Sequence, residues 1–178
     1  LRKGRNDFYA RGVMVNASLQ FTDKPALLHT DDPTLPSIRP GESNAALQGA
    51  IVVVNTSEIP LTGLQLTSRL ADREQTTILP TIPALSSRKV AFGFDGSAVS
   101  TKGPQPCELI LLQKGKPLDR ASITVEAVAP GASYSRTFVS RIDGSLQYYA
   151  ITPQSSGSTS PSALFLSVHG AGVEASGQ

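Results

Sequence analysis

Apolar residues in this chain recur with a period of two, in short runs that begin about ten to fifteen residues apart. Pro, Gly, Asn and Asp separate the runs, and no helical periodicity stands out. The first run spans Phe8 to Phe21, with Val13, Val15 and Ala17 on one parity. Residues 23–44 hold four prolines and are expected to form an irregular connection. Ala46 to Val54 is the most apolar stretch of this half and predicts a central strand, because a strand covered on both faces loses its alternation. Asn55-Thr56-Ser57 turns the chain, and Leu61 to Leu70 alternates with Leu64 and Leu66 inward. Shorter strands are predicted around Thr76–Leu79, Lys89–Phe94, Glu108–Gln113 and Ala121–Val128. In the last, Ile123, Val125 and Ala127 alternate with Thr124 and Glu126. About seven short strands so spaced predict a mainly β fold, an immunoglobulin-like β-sandwich over residues 1–130.

Ala129-Pro130-Gly131-Ala132 marks a boundary, and residues 131–178 change character. Arg136 to Ile142 and Ser145 to Ile151 flank Asp143-Gly144, a strong hairpin signal because both turn positions tolerate positive φ. A Ser/Gly/Pro-rich linker follows from Pro153 to Pro161. Next come Ala163-Leu164-Phe165-Leu166-Ser167-Val168, predicted as a strand buried on both faces, and then His169-Gly170-Ala171-Gly172.

A hairpin, a polar linker and an apolar strand ending in His-Gly-x-Gly resemble the opening of an α/β-hydrolase catalytic domain, of the prolyl-oligopeptidase-like or esterase-like kind. The resemblance covers residues 134–174. It implies that residues 131–178 are the first hairpin and strand of that domain, with the sandwich as an accessory β-domain. It implies a serine peptidase or carboxylesterase acting on a peptide or ester. Gly170, Ala171 and Gly172 would form the oxyanion loop, whose backbone N–H groups stabilise the developing charge, and His169 would hold that loop. No Gly-x-Ser-x-Gly occurs in the sequence, so the nucleophile would lie beyond it. The partner expected on this reading is the remainder of the catalytic domain, as a second chain or a downstream segment.

Composition supports the β assignment and removes other functions. Charged residues are 17% of the 178, and Ser and Thr together outnumber them; a coiled coil or helical bundle is excluded. A net charge of +2 is too small for a nucleic-acid footprint. Arg2, Lys3 and Arg5 cluster at the start, where a solvated tail is expected. The single cysteine, Cys107, opens an apolar run and is expected to be an inert core thiol, with no disulfide and no Cys-based metal site. No cofactor is expected. No apolar run reaches the ~18 residues of a membrane span. The sequence begins at Leu1, which raises the expectation that a leader or an upstream part has been removed, and a secreted or periplasmic protein is expected. His29 with Asp31 and Asp32 is a weak metal candidate, and Asn16-Ala17-Ser18 and Asn55-Thr56-Ser57 fit the glycosylation pattern. Tyr148 and Tyr149 are expected on opposite faces of a strand. A non-catalytic β-sandwich module, binding carbohydrate or protein or serving structurally, stands as the alternative function. The absence of Trp removes the usual sugar-stacking platform.

Overall fold

A computed structural model describes residues 21–154 and 164–168. Nine strands and no helix occur among them. In chain order they are β1 (Ala26–Thr34), β2 (Leu47–Asn55), β3 (Leu64–Leu70), β4 (Arg73–Ile78), β5 (Ser87–Phe94), β6 (Gly103–Gln113), β7 (Lys116–Ala127), β8 (Tyr134–Val139) and β9 (Leu146–Ile151). The first seven form two antiparallel sheets, β1-β2-β5 and β4-β3-β6-β7, and β8 and β9 pair as a third.

The two larger sheets face each other as a β-sandwich. Leu47, Ile51 and Val53 of β2 and Val90, Phe92 and Phe94 of β5 meet Leu64, Leu66 and Leu70 of β3, Cys107, Leu109 and Leu111 of β6, and Ile123 and Val125 of β7 in one buried cluster. Each sheet offers one parity of each strand to this core, which is the physical content of the two-residue period. Phe92 packs over Gly49, its direct partner on β2. A Cβ at Gly49 would lie 2.8 Å from Leu35 Cδ2 and 2.9 Å from Phe92 Cζ, so the ring sits where only glycine leaves room.

The four-stranded sheet carries a row of alternating charge across its outer face. Glu74 of β4 pairs with Arg69 of β3 at 2.6 Å, Arg69 reaches Glu108 of β6 at 3.5 Å, and Glu108 pairs with Arg120 of β7 at 3.1 Å.

Three local expectations are corrected. The proline-rich stretch 23–44 contains β1, whose pairing with β2 shifts register between His29 and Thr34. Pro33 is tolerated there because β1 is an edge strand, where a missing N–H leaves no partner unsatisfied. The Asp143-Gly144 hairpin forms, but not as a two-residue turn. Ser140 N donates to Ser145 O and Gly144 N to Ser140 O, so residues 141–144 make the loop, and of them only Gly144 has positive φ. Asp143 instead caps the loop, its carboxylate accepting from Ser145 N at 3.1 Å and Ser145 Oγ at 2.8 Å. The Ser145 hydroxyl holds that carboxyl below the usual carboxylate range.

The third correction concerns the predicted buried strand at 163–168. Residues 164–168 form no strand, and Leu164, Phe165, Leu166 and Val168 are 80–90% exposed. Apolarity gives a segment the capacity to be buried, but burial needs a partner surface, and none of the described residues supplies one.

Candidate functional site

A concavity lies at the flank where β4 of the four-stranded sheet meets β5 of the three-stranded sheet. It is a trough of about 450 Å³ lined by Ala46, Leu47 and Gln48 at the start of β2, Gln75 to Ile78 of β4, and Ala91, Phe92 and Gly93 of β5. A recess of about 130 Å³ shares Ala46, Leu47 and Gln48 and is bounded by Pro36, Arg136 and Thr137. The trough exists because Ala46, Ala91 and Gly93 have little or no side chain to fill it. Strand β4 stands along one side of the trough, and Arg136 and Thr137 of β8 bound the adjoining recess.

Local hydrogen bonding explains why β4 closes on β5. Gly93 N donates to Thr77 Oγ1 at 2.9 Å, and Ser68 Oγ donates to Gly93 O at 2.8 Å. The Gln75 amide lies over Gly93 so closely that a Cβ there would overlap it. Both backbone groups of an edge residue are thus occupied by side chains of the opposite sheet. Along the rest of these edges the ladder alternation decides which groups stay open. Asn55 N donates to Ser86 O, so residues 87, 89, 91 and 93 of β5 turn their backbone groups away from β2. Leu79 N donates to Leu64 O, so residues 74, 76 and 78 of β4 likewise point outward. Thr76, Ile78 and Ala91 therefore present backbone donors and acceptors at the trough, and the Ile78 side chain is 79% exposed.

The hairpin beside the recess is fixed by its own contacts. Ser37 N donates to Ser135 O at 2.9 Å, Ser135 N donates to Ser37 Oγ at 3.0 Å, and Thr137 Oγ1 donates to Gln48 O at 2.7 Å. Glu42 pairs with Arg39 at 2.7 Å and with Arg136 at 3.2 Å. Both guanidinium carbons approach the Tyr134 ring, at 4.1 and 5.5 Å from its centroid.

The trough lining contains no carboxylate, imidazole or thiol, so it offers hydrogen bonds and apolar contact, not proton transfer. Elsewhere, His29 Nε2 lies 3.5 Å from Asp31 on the exposed face of β1, while the Asp32 carboxylate is taken by Lys89 at 3.0 Å. No cluster of three metal-ligating side chains occurs among the described residues. Cys107 is fully buried, and its burial pushes the thiol pKa up to about 11. Asp119 is buried at a bulge of β7 and accepts from Lys24 Nζ at 2.7 Å and Leu28 N at 2.8 Å. Burial alone would raise its pKa; the Lys24 ammonium and the N–H groups of Leu28 and Arg120 outweigh that and hold it below the carboxylate range. Tyr148 and Tyr149 do occupy opposite faces of β9, with the Tyr149 ring 6.0 Å from that of Phe138 and tilted against it by 55°. His169, Gly170, Ala171 and Gly172 lie outside the described residues, as does Asn16. No helix among the described residues is long and apolar enough to cross a membrane.

No protein-family model matches this sequence, and no curated protein matches it. Among solved structures it is similar to the Pseudomonas fluorescens alkylpurine DNA glycosylase AlkC, with 14% identity, a TM-score of 0.37, and coverage of 58% of this chain and 31% of that one. It is similar to a CARDB domain from Pyrococcus furiosus, solved in complex with di-metal ions, with 12% identity, a TM-score of 0.37, and coverage of 61% and 99%. It is also similar to the exo-chitosanase CsxA of Amycolatopsis orientalis, with 15% identity, a TM-score of 0.41, and coverage of 71% and 15%. The chain thus spans under a third of the glycosylase and of the chitosanase. None of the three is a prolyl-oligopeptidase-like or esterase-like α/β-hydrolase, and the strand that should open such a catalytic sheet is neither paired nor buried. The unpaired, exposed run at 164–168 overturns the α/β-hydrolase resemblance.

Proposed function

We propose that this chain acts as a non-catalytic β-sandwich module that binds an extended segment of a protein partner along the trough where β4 meets β5. The observation that carries the reading is the pairing of outward backbone groups at Thr76, Ile78 and Ala91 with a small-residue floor. An extended polypeptide makes main-chain hydrogen bonds to such an edge and gains selectivity from side-chain contacts, here Gln48, Gln75 and Ile78. A saccharide partner is favoured less, because the one aromatic residue in the lining, Phe92, is buried in the core and presents no stacking face.

The test is affinity selection of a displayed random-peptide library on the immobilised protein, alongside a glycan array. Peptides that bind wild type and lose binding to Ala91→Arg, which fills the trough floor from an exposed position, support the reading. Retention of saccharides with no enrichment of peptides overturns it.

A further inference from the structure

We infer that the partner segment carries an acidic side chain, Asp or Glu, which seats in the recess against the Arg136 guanidinium; this rests on the extended-peptide reading above and names the chemistry it selects. Recess and trough share Ala46, Leu47 and Gln48, so a chain lying in the trough runs up to the recess. The recess, at about 130 Å³, has room for one side chain. The trough lining is uncharged, and the recess lining holds one charge, that of Arg136.

The charges around Arg136 do not cancel. Arg39 and Arg136 share a single carboxylate, Glu42, which leaves the three-residue cluster with one positive charge in excess. The distances place that excess. Glu42 lies 2.7 Å from Arg39 Nη1 and 3.2 Å from Arg136 Nη2, so Arg39 holds the closer contact. Of the five N–H donors of Arg136, only those on Nη2 meet an acceptor among the described residues. Its side chain is 30% exposed, open enough to receive a second carboxylate.

The cluster is also held in place before a ligand arrives. Asn44 is buried; its Nδ2 donates to Arg39 O at 2.9 Å and Glu42 O at 3.1 Å, and its Oδ1 accepts from Arg39 N at 3.3 Å. Ser37 fixes β8 at Ser135, one residue from Arg136. A guanidinium so placed forms a charge-assisted pair with little further loss of rotamer freedom. One unit of excess charge matches a carboxylate, not the nearly doubled charge of a phosphoryl group. This chain's own remaining segments match it less well. Residues 1–20 carry Arg2, Lys3, Arg5 and Arg11 against Asp7, and residues 155–178 hold one acidic side chain, Glu174.

Peptides selected from the displayed library on the full chain test this, each compared with its Asp→Asn or Glu→Gln counterpart by titration calorimetry. Wild type is expected to enrich an acidic residue at one fixed position. Arg136→Gln weakens the acidic peptide about tenfold or more and leaves the neutral counterpart unchanged. Glu42→Gln removes the competing carboxylate and tightens the acidic peptide. Enriched peptides without an acidic bias, or a bias that survives Arg136→Gln, overturn the inference and leave the trough reading standing. No enriched peptide at all removes both. If Arg136→Gln loses acidic and neutral peptides alike, Glu42→Gln decides, and an unchanged affinity there overturns the inference. An affinity that rises in Glu174→Gln identifies this chain's own segment as the occupant and overturns it too.

Discussion

Asn55 offers the sharpest test of how this sandwich is held together. Its side chain is 1% exposed at the end of β2. Nδ2 donates to the carbonyls of Ile59 at 2.8 Å, Pro83 at 2.9 Å and Ile82 at 3.2 Å, and Oδ1 accepts from Ser57 N at 2.9 Å and Ser57 Oγ at 2.7 Å. One amide thus ties the β2–β3 connection to the β4–β5 connection. Two N–H bonds serve three carbonyls, and the Ser57 hydroxyl, which has one proton for Asn55 Oδ1 and Ile59 O, falls back on Ile59 O in Asn55→Ala, so the loss counts as about three neutral hydrogen bonds at roughly 1 kcal/mol each. Each carbonyl keeps a second partner: Ile82 O accepts from Leu61 N, Pro83 O from Ser86 Oγ and Ile59 O from Ser57 Oγ. That spares the full desolvation penalty and sets the expected loss at about 3 kcal/mol. It corresponds to a fall of roughly 6–12 °C in Tm. With no Trp in the chain, urea and thermal unfolding are followed by circular dichroism. Asn55→Asp keeps the size and the acceptor but sets a carboxyl against carbonyl oxygens, which raises its pKa in the folded state. A raised carboxyl pKa removes stability as pH climbs through the unfolded value of about 4, so this variant is less stable at neutral than at acid pH. A loss below about 1 kcal/mol for Asn55→Ala, or no pH dependence for Asn55→Asp, would refute this account of the junction. The same burial excludes glycan attachment at Asn55-Thr56-Ser57, and a glycan found there by mass spectrometry would contradict it.

Three further outcomes are expected. Cys107, with its thiol pushed up to about 11 inside the core, resists thiol reagents at neutral pH until the protein unfolds; labelling rates across a urea series check this. Lys114 and Gly115 turn β6 into β7 with φ of +50° and +79°, a geometry that Asn tolerates better than Lys, so Lys114→Asn gains about 0.5–1 kcal/mol in chemical denaturation. Asp119 has a folded pKa below its unfolded one, so its contribution is complete above about pH 4 and is lost as pH falls through the folded value. Asp119→Asn flattens the acid limb of the stability curve, and an unchanged limb would remove Asp119 from its cause.

The sandwich was legible because its core residues obey a short-range rule. Leu64 and Leu66 point inward as their parity requires, Ile123, Val125 and Ala127 do the same on β7, and the Val-rich run 51–54 is the middle strand of its sheet. Strand β1 escaped notice because Pro33 argues against a strand, and only its edge position makes the residue harmless. The failure at 164–168 has the opposite origin, since a run of Leu, Phe and Val carries no information about where its partner is. The trough was invisible for a topological reason. Residues 46–48, 75–78 and 91–93 come from three strands, and their small or uncharged side chains resemble no motif. The Asn55 junction does have a sequence signal, an Asn-x-Ser turn, which instead resembled a modification site.

The two lateral seams of the sandwich carry a consequence for how specificity evolves in this molecule. At one flank Asp119 of β7 grips Leu28 N of β1. At the other, Ser68 and Thr77 grip both backbone groups of Gly93. Each seam joins strands of different sheets through side chains, so neither sheet can slide over the other and the interior is shut like a box clasped on two sides. On the binding reading proposed above, recognition is left to surface residues outside the clasped interior. Substitutions at Gln48, Gln75, Ile78 or Ala91 would then change what the surface selects while the interior keeps its packing, and stability and selectivity would be free to drift apart.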